Sequence, residues 1–287
     1  MPTERRIFGL DQPTTRRNVL RGGCGCACVA LTCCQTVTSS SAASQYFNGC
    51  FITSEGYRRY QSQREGVYPV ADGLLAKNRH FRTTGDSALD RDLDRALGIV
   101  ADLFEVNPAF GFYNPSNFKG RDEGSVMNAF ATPKNTDIPG TEGTVAFGWD
   151  LFTRELHNYD SSGMTIMAIV AHEFAHILQS NPGYLQRIRF GYPLKSEINA
   201  DFLAGYFLGI RKRRIPSLRF QKAGELFIRL GRSMNGDPSR THGDSRERLD
   251  AAEAGFRVAY VENKSLNDAV RAGLEYVEGL KVEEPRR

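Results

Sequence analysis

Residues 164 to 171 of this 287-residue chain read Met-Thr-Ile-Met-Ala-Ile-Val-Ala and run straight into His172-Glu173-Phe174-Ala175-His176. A stretch this apolar is buried on most sides once folded, yet it ends in three ionisable groups within five residues. Ser161-Ser162 supplies a cap at its start, and Asn181-Pro182-Gly183 stops it, so the spacing predicts a helix between them. On that helix Met167, Val170, Ala171, Phe174 and Leu178 share a core-facing side, while His172, Glu173 and His176 share another that must line a cleft. A buried glutamate needs a partner or a task. Histidines at i and i+4 can hold one Zn²⁺, and the glutamate beside the first is placed to take a proton from a water on that ion. The plainer reading is a core helix with two hydrogen-bonded histidines and a surface glutamate.

A catalytic zinc takes three protein ligands and keeps a fourth position open, so a third ligand is expected on a neighbouring element. Lys195 to Gly205, Lys-Ser-Glu-Ile-Asn-Ala-Asp-Phe-Leu-Ala-Gly, has the pattern of that element. Ser196 is placed as its cap, Glu197 and Asp201 lie one turn apart, and Ile198, Phe202 and Leu208 bury the opposite side. Glu197 then completes the ligand set with His172 and His176, and Asp201 accepts the remaining ring N–H of a ligand histidine. Without the upstream motif the same two acids would read as a solvated face.

Together, the HEFAH segment and Glu197-Ile198-Asn199-Ala200-Asp201 resemble the gluzincin metallopeptidases, whose third zinc ligand is a glutamate on a second helix. Asn128 to Thr132 and Gly143 to Gly148 resemble the substrate-edge hairpin of the prenyl-protease-like membrane metallopeptidases. Thr241-His242-Gly243-Asp244-Ser245-Arg246-Glu247-Arg248 is similar to a segment of bacterial neutral zinc metallopeptidase-like proteins. The resemblance implies an α+β fold: a mostly helical zincin-like domain with a small sheet or hairpin at the substrate edge. It further implies a zinc metalloendopeptidase acting on peptide or protein substrates, with Glu173 as general base. A later His or Tyr often shares the oxyanion charge in that group, and His242 is the first candidate. His157, His80, Tyr184 and Tyr192 stand behind it, and the alternative for His242 is a packing or capping role. Two other functions fit the same residues, a zinc amidase acting on a non-protein amide and a catalytically silent zinc-stabilised binding protein.

Around these segments the periodicity predicts helices over 55–65, Asp86–Phe104, Leu218–Leu230, Ser245–Tyr260 and Leu266–Leu280, with short strands at Ala109–Tyr113, 127–131 and 143–148. Leu266, Val270, Gly273, Leu274 and Val277 give the last helix a packing stripe. The net charge is +4, of which five arginines against Glu4 and Asp11 in the first 21 residues carry +3, so the remainder offers no basic field for nucleic acid. Arg211 to Arg214 is the one charge run, read as a solvated helix end with a membrane-surface patch as the alternative.

Residues 1–44 read as a leader and 45–287 as the metallopeptidase-like domain. Thr15-Arg16-Arg17-Asn18-Val19-Leu20-Arg21 resembles a twin-arginine export signal, and the weakly apolar stretch from Gly22 to Val37 is shorter than the roughly 20 residues a spanning helix needs. Leu31-Thr32-Cys33-Cys34 has the outline of a lipobox with Cys34, or Cys33, as the acylated residue and a membrane anchor as the result; cleavage near Ala42-Ala43-Ser44 is the competing outcome. All six cysteines lie between Cys24 and Cys50, so the rest of the chain has neither disulfides nor thiol ligands. These features point to export to the periplasm or its membrane in a bacterium. In a bacterial host the combination of Arg16→Lys and Arg17→Lys is expected to hold the precursor in the cytoplasm. Fractionation that finds the double variant delivered normally would show that the arginine pair is not the address.

Overall fold

A computed structural model describes residues 67–68, 87–113, 129–132, 141–181, 184, 193–232 and 243–280. Their elements are β1 (Val67–Tyr68), α1 (Ser87–Phe104), β2 (Ala109–Tyr113), β3 (Ala129–Thr132), β4 (Thr144–Gly148), α2 (Trp149–Arg154), a π-helical turn (Glu155–Tyr159), α3 (Met164–Gln179), α4 (Pro193–Arg214), α5 (Gln221–Arg232), α6 (Ser245–Tyr260) and α7 (Leu266–Glu278). The described chain is mostly helical with a small sheet, an α+β arrangement. The expected helix over 55–65 and the leader lie outside the described residues. No helix among the described residues is long and apolar enough to cross a membrane.

The sheet order is β1-β2-β4-β3, with β2 and β4 parallel and β3 antiparallel to β4. Of the two segments expected at the substrate edge, only the first is terminal among the described residues: β3 ends the sheet there, whereas β4 is enclosed by β2 and β3. All five residues of β4 are buried, as an internal strand covered on both faces requires. Phe112 and Phe147 sit opposite each other in the parallel pair with their rings 6.3 Å apart edge to face. Phe152 closes on Phe112 at 4.8 Å and stacks on Trp149, so one aromatic cluster joins the sheet to α2.

Helix α3 runs through the centre, packed by α4, α1, β3 and α5, and every residue of it except Leu178 is buried. Its N-terminus corrects the sequence expectation. Ser161 and Ser162 are exposed and neither caps the helix. The Asp160 carboxylate does: Oδ2 accepts from the Thr165 N–H at 2.9 Å, and Oδ1 accepts from both the N–H and the hydroxyl of Ser162. A carboxylate there satisfies an N–H left open at the helix start and faces the positive end of its dipole. Gly163, at φ +73°, makes the turn between cap and helix.

Helix α4 also starts earlier than expected, with Pro193 in the first turn, where its missing N–H costs nothing. Ser196 is therefore inside the helix and buried, and its hydroxyl donates to Gln179 Oε1 at 2.7 Å instead of capping. The basic run at the other end is only partly a solvated face. Arg211 is buried, and the Lys212 ammonium donates to the carbonyls of Pro216 and Leu218 at 2.6 and 2.7 Å, closing the helix terminus. Against α4 lies α6, begun by a capping box between Asp244 and Glu247. Helix α7 buries Ala269, Gly273, Leu274 and Val277, so its stripe is a packing face.

Helices α4 and α6 touch backbone to backbone. A Cβ on Gly205 would fall 1.9 Å from the Ala252 carbonyl oxygen, and one on Gly255 would fall 1.7 Å from that of Phe202. No rotamer relieves a clash with main chain, so these glycines set the spacing of the two helices. Gly224 in α5 is the opposite case, since its Cβ would meet nothing nearer than 3.9 Å. Gly255→Ala is accordingly expected to destabilise by about 1–3 kcal/mol through forced separation, and Gly224→Ala to stabilise by about 0.5–1 kcal/mol through helix propensity. Denaturant unfolding of both variants checks this; equal effects would mean that the α4–α6 spacing is not set by its glycines.

Candidate metal centre

Helix α3 presents His172 and His176 one turn apart toward α4, which presents Glu197 and, one turn further, Asp201. All four side chains, and Glu173 with them, are buried. The structure brings His172, His176 and Glu197 together as a group that can hold a metal ion. The two Nε2 atoms are 3.1 Å apart, and each is 3.4 Å from a different oxygen of Glu197.

The outer nitrogens fix what the inner ones offer. His172 Nδ1 lies 2.8 Å from Asp201 Oδ1, and His176 Nδ1 lies 2.9 Å from Gln179 Oε1. Both outer partners accept only, so each neutral imidazole carries its proton on Nδ1 and turns the lone pair of Nε2 inward. Two ring nitrogens and two carboxylate oxygens then converge with no proton among them. Four acceptors at such spacings repel one another unless positive charge lies between them. Nitrogen and oxygen ligands at about 2.0–2.1 Å from a tetrahedral ion are about 3.3–3.4 Å from each other, which matches the two nitrogen–oxygen separations, while the two nitrogens at 3.1 Å stand slightly closer.

Charge points the same way. Glu173, Glu197 and Asp201 are buried carboxyl groups, and among the described residues the buried cation beside them is Arg248 of α6, 2.9 Å from Asp201 Oδ1 through Nη2 and 2.8 Å from Oδ2 through Nε. With neutral histidines and all three carboxyls ionised, the group would carry two negative charges in excess, which a divalent cation cancels. The residues fit such an ion by geometry, by donor set and by charge.

A proton is the alternative occupant. Burial disfavours the charged form of His172, but Asp201 and Glu197 outweigh it and push its pKa up to about 10. His176 is lowered, by burial first, with Glu197 opposing. Of the two histidines, His172 is the one that favours its charged form near neutrality.

The sequence placed His172, Glu173, His176, Glu197 and Asp201, and the structure gathers all five on two facing helices. His242 lies outside the described residues, as do His80 and Tyr192. His157 is exposed on the π-helical turn, and the Tyr184 hydroxyl is engaged with Asn199 Oδ1 at 2.9 Å. Gln179, Asn199 and the role of Arg248 were not foreseen. The signal for Arg248 was present: it begins the stripe Arg248, Ala251, Ala252, Gly255, Val258 and Ala259 that α6 buries. An arginine on an apolar stripe calls for a buried carboxylate. No family model matches the chain, and neither a curated protein nor a solved structure matches it.

A metal ion held by this group would compete with a proton on His172 for one position. In the metal-free protein the His172 proton adds stability that is complete below pH 6.5, the ordinary histidine value, and is lost as pH rises through about 10. Zinc binding at about pH 8 is expected to expel it, and Asp201→Asn, which removes the largest influence holding it, to release less. Titration calorimetry in buffers of different ionisation enthalpy counts the protons. Equal release from both proteins would place the exchanged proton elsewhere.

Proposed function

We propose that this protein is a zinc-dependent metallopeptidase of the gluzincin type, held by His172, His176 and Glu197, with Glu173 as general base. The observation that carries the reading is the convergence of three ligand side chains on one buried point, with an additional carboxylate next to the first of them on α3. When bound, a zinc ion supplies Lewis acidity and lowers the pKa of water toward neutrality. A purely structural zinc would be enclosed by four protein ligands, whereas this group has three among the described residues.

The chain's own residues divide the remaining work. Glu173 takes the proton as water attacks the scissile carbonyl and returns it to the leaving amine. Asp201 holds the His172 ring in the tautomer that faces its lone pair inward, and Arg248 holds Asp201. β3, terminal in its sheet and packed on α3, is suited to align an extended peptide by strand addition. His242 is assigned from the sequence alone as the donor to the developing oxyanion. Export through the twin-arginine signal places this activity outside the cytoplasm.

Glu173→Gln is expected to keep zinc and fold while casein cleavage falls by about 10²–10⁴-fold, the usual contribution of such a proton transfer. Metal content, thermal unfolding and cleavage are measured on the same preparation. Undiminished cleavage by the zinc-loaded variant would overturn the mechanism. If the wild type binds zinc but cleaves neither proteins nor small amides, the centre belongs to a binding protein.

A further inference from the structure

The two ligand histidines are supported differently. Behind His172 stands a carboxylate, Asp201, engaged by Arg248. Behind His176 stands a neutral carboxamide, Gln179, three residues further along the same helix and wholly buried.

The orientation of that carboxamide is determined by its neighbours. Gln179 Nε2 lies 2.9 Å from the Ser196 carbonyl oxygen, which only accepts, so this atom is the amide nitrogen. The same nitrogen donates to Asn199 Oδ1 at 2.9 Å, and that oxygen also takes the Tyr184 hydroxyl at 2.9 Å. Gln179 Oε1 is thereby turned to the other side, where it accepts from the Ser196 hydroxyl at 2.7 Å and faces His176 Nδ1 at 2.9 Å. Each polar atom of the carboxamide thus has two partners, and rotation by half a turn would set oxygen against oxygen at Ser196.

We propose that Gln179 is the positioning residue of His176, a carboxamide locked by Ser196 and Asn199 of α4 that keeps the His176 proton on Nδ1 and its Nε2 lone pair on the metal position. The inference rests on the metal-centre reading above. It gives α4 a second duty: the helix that brings Glu197 into the group also orients, through residues on either side of Glu197, the acceptor that aims His176. Neutrality of that acceptor belongs to the design. A second carboxylate in place of the amide would add a third excess negative charge to a group whose balance suits a divalent ion.

The test uses the full chain with its thiols alkylated, so that Cys24 to Cys50 take up no metal, and zinc alone as the probe. Nitrogen–proton correlation spectra of the histidine rings are expected to show wild-type His176 protonated at Nδ1 and metal-bound through Nε2; coordination through Nδ1 would overturn the proposal without any variant. Gln179→Met keeps the bulk and removes the acceptor. It should weaken zinc binding by about 10–100-fold in chelator competition and abolish the slowly exchanging Nδ1–H signal of His176 while leaving that of His172. Zinc affinity within twofold of wild type in Gln179→Met, or a His176 Nδ1–H signal that persists in it, overturns the assignment. No readout here measures turnover, so failure of the peptidase reading would leave the result standing. A wild type that binds no zinc would overturn the centre and this role together.

Discussion

Four acceptor atoms aimed at one buried point are unstable by themselves, and much of the described structure serves to keep them there. Two of them, the histidine Nε2 atoms, stand closer to each other than either does to Glu197. In water such groups would rotate apart or take up protons. Here α3 is buried along nearly its whole length, and the rings are fixed from behind by Asp201 and Gln179. The repulsion is thus stored as affinity for a cation, and preorganisation makes a three-ligand group competitive.

The second support is the spacing of α4 and α6. Because Gly205 and Gly255 allow main-chain contact, Arg248 reaches Asp201 from α6 with both elements fully packed. A wider separation would leave the guanidinium short of the carboxylate and expose Asp201 to water, weakening its hold on His172. Gly243, at φ +79°, draws the entry of α6 against Ile198 and Leu194 on either side of Glu197, so the turn preceding α6 is seated on the ligand-bearing stretch of α4.

What was legible in the sequence followed from periodicity. The ligand spacing on α3, the one-turn separation of Glu197 and Asp201 and the span of α6 all repeat at 3.6 residues, and β2, β3 and β4 are short apolar runs between turn residues, so local pattern reveals them. The caps were misjudged because Ser161-Ser162 and Ser196 have capping side chains, and propensity cannot tell which nearby oxygen reaches the free N–H groups. Asp160 wins by charge and by the turn at Gly163. Gln179 escaped notice for a different reason. Its meaning depends on Ser196 and Asn199, 17 and 20 residues away, and only the packing of α3 on α4 joins them. The parallel pairing of β2 with β4 was hidden likewise, since strand direction is a property of the crossover and not of either strand.

The ion pair between Arg248 and Asp201 spans 47 residues. Synthesis proceeds from the N-terminus, so the helices bearing all three ligands leave the ribosome before the arginine that balances them. Until residue 248 emerges, the nascent chain holds the ligand set with its negative charge at its greatest and its shape least defined. Completion of the centre is thereby tied to the arrival of α6, and a chain cut short ahead of it would carry His172, His176 and Glu197 without the frame that tunes them.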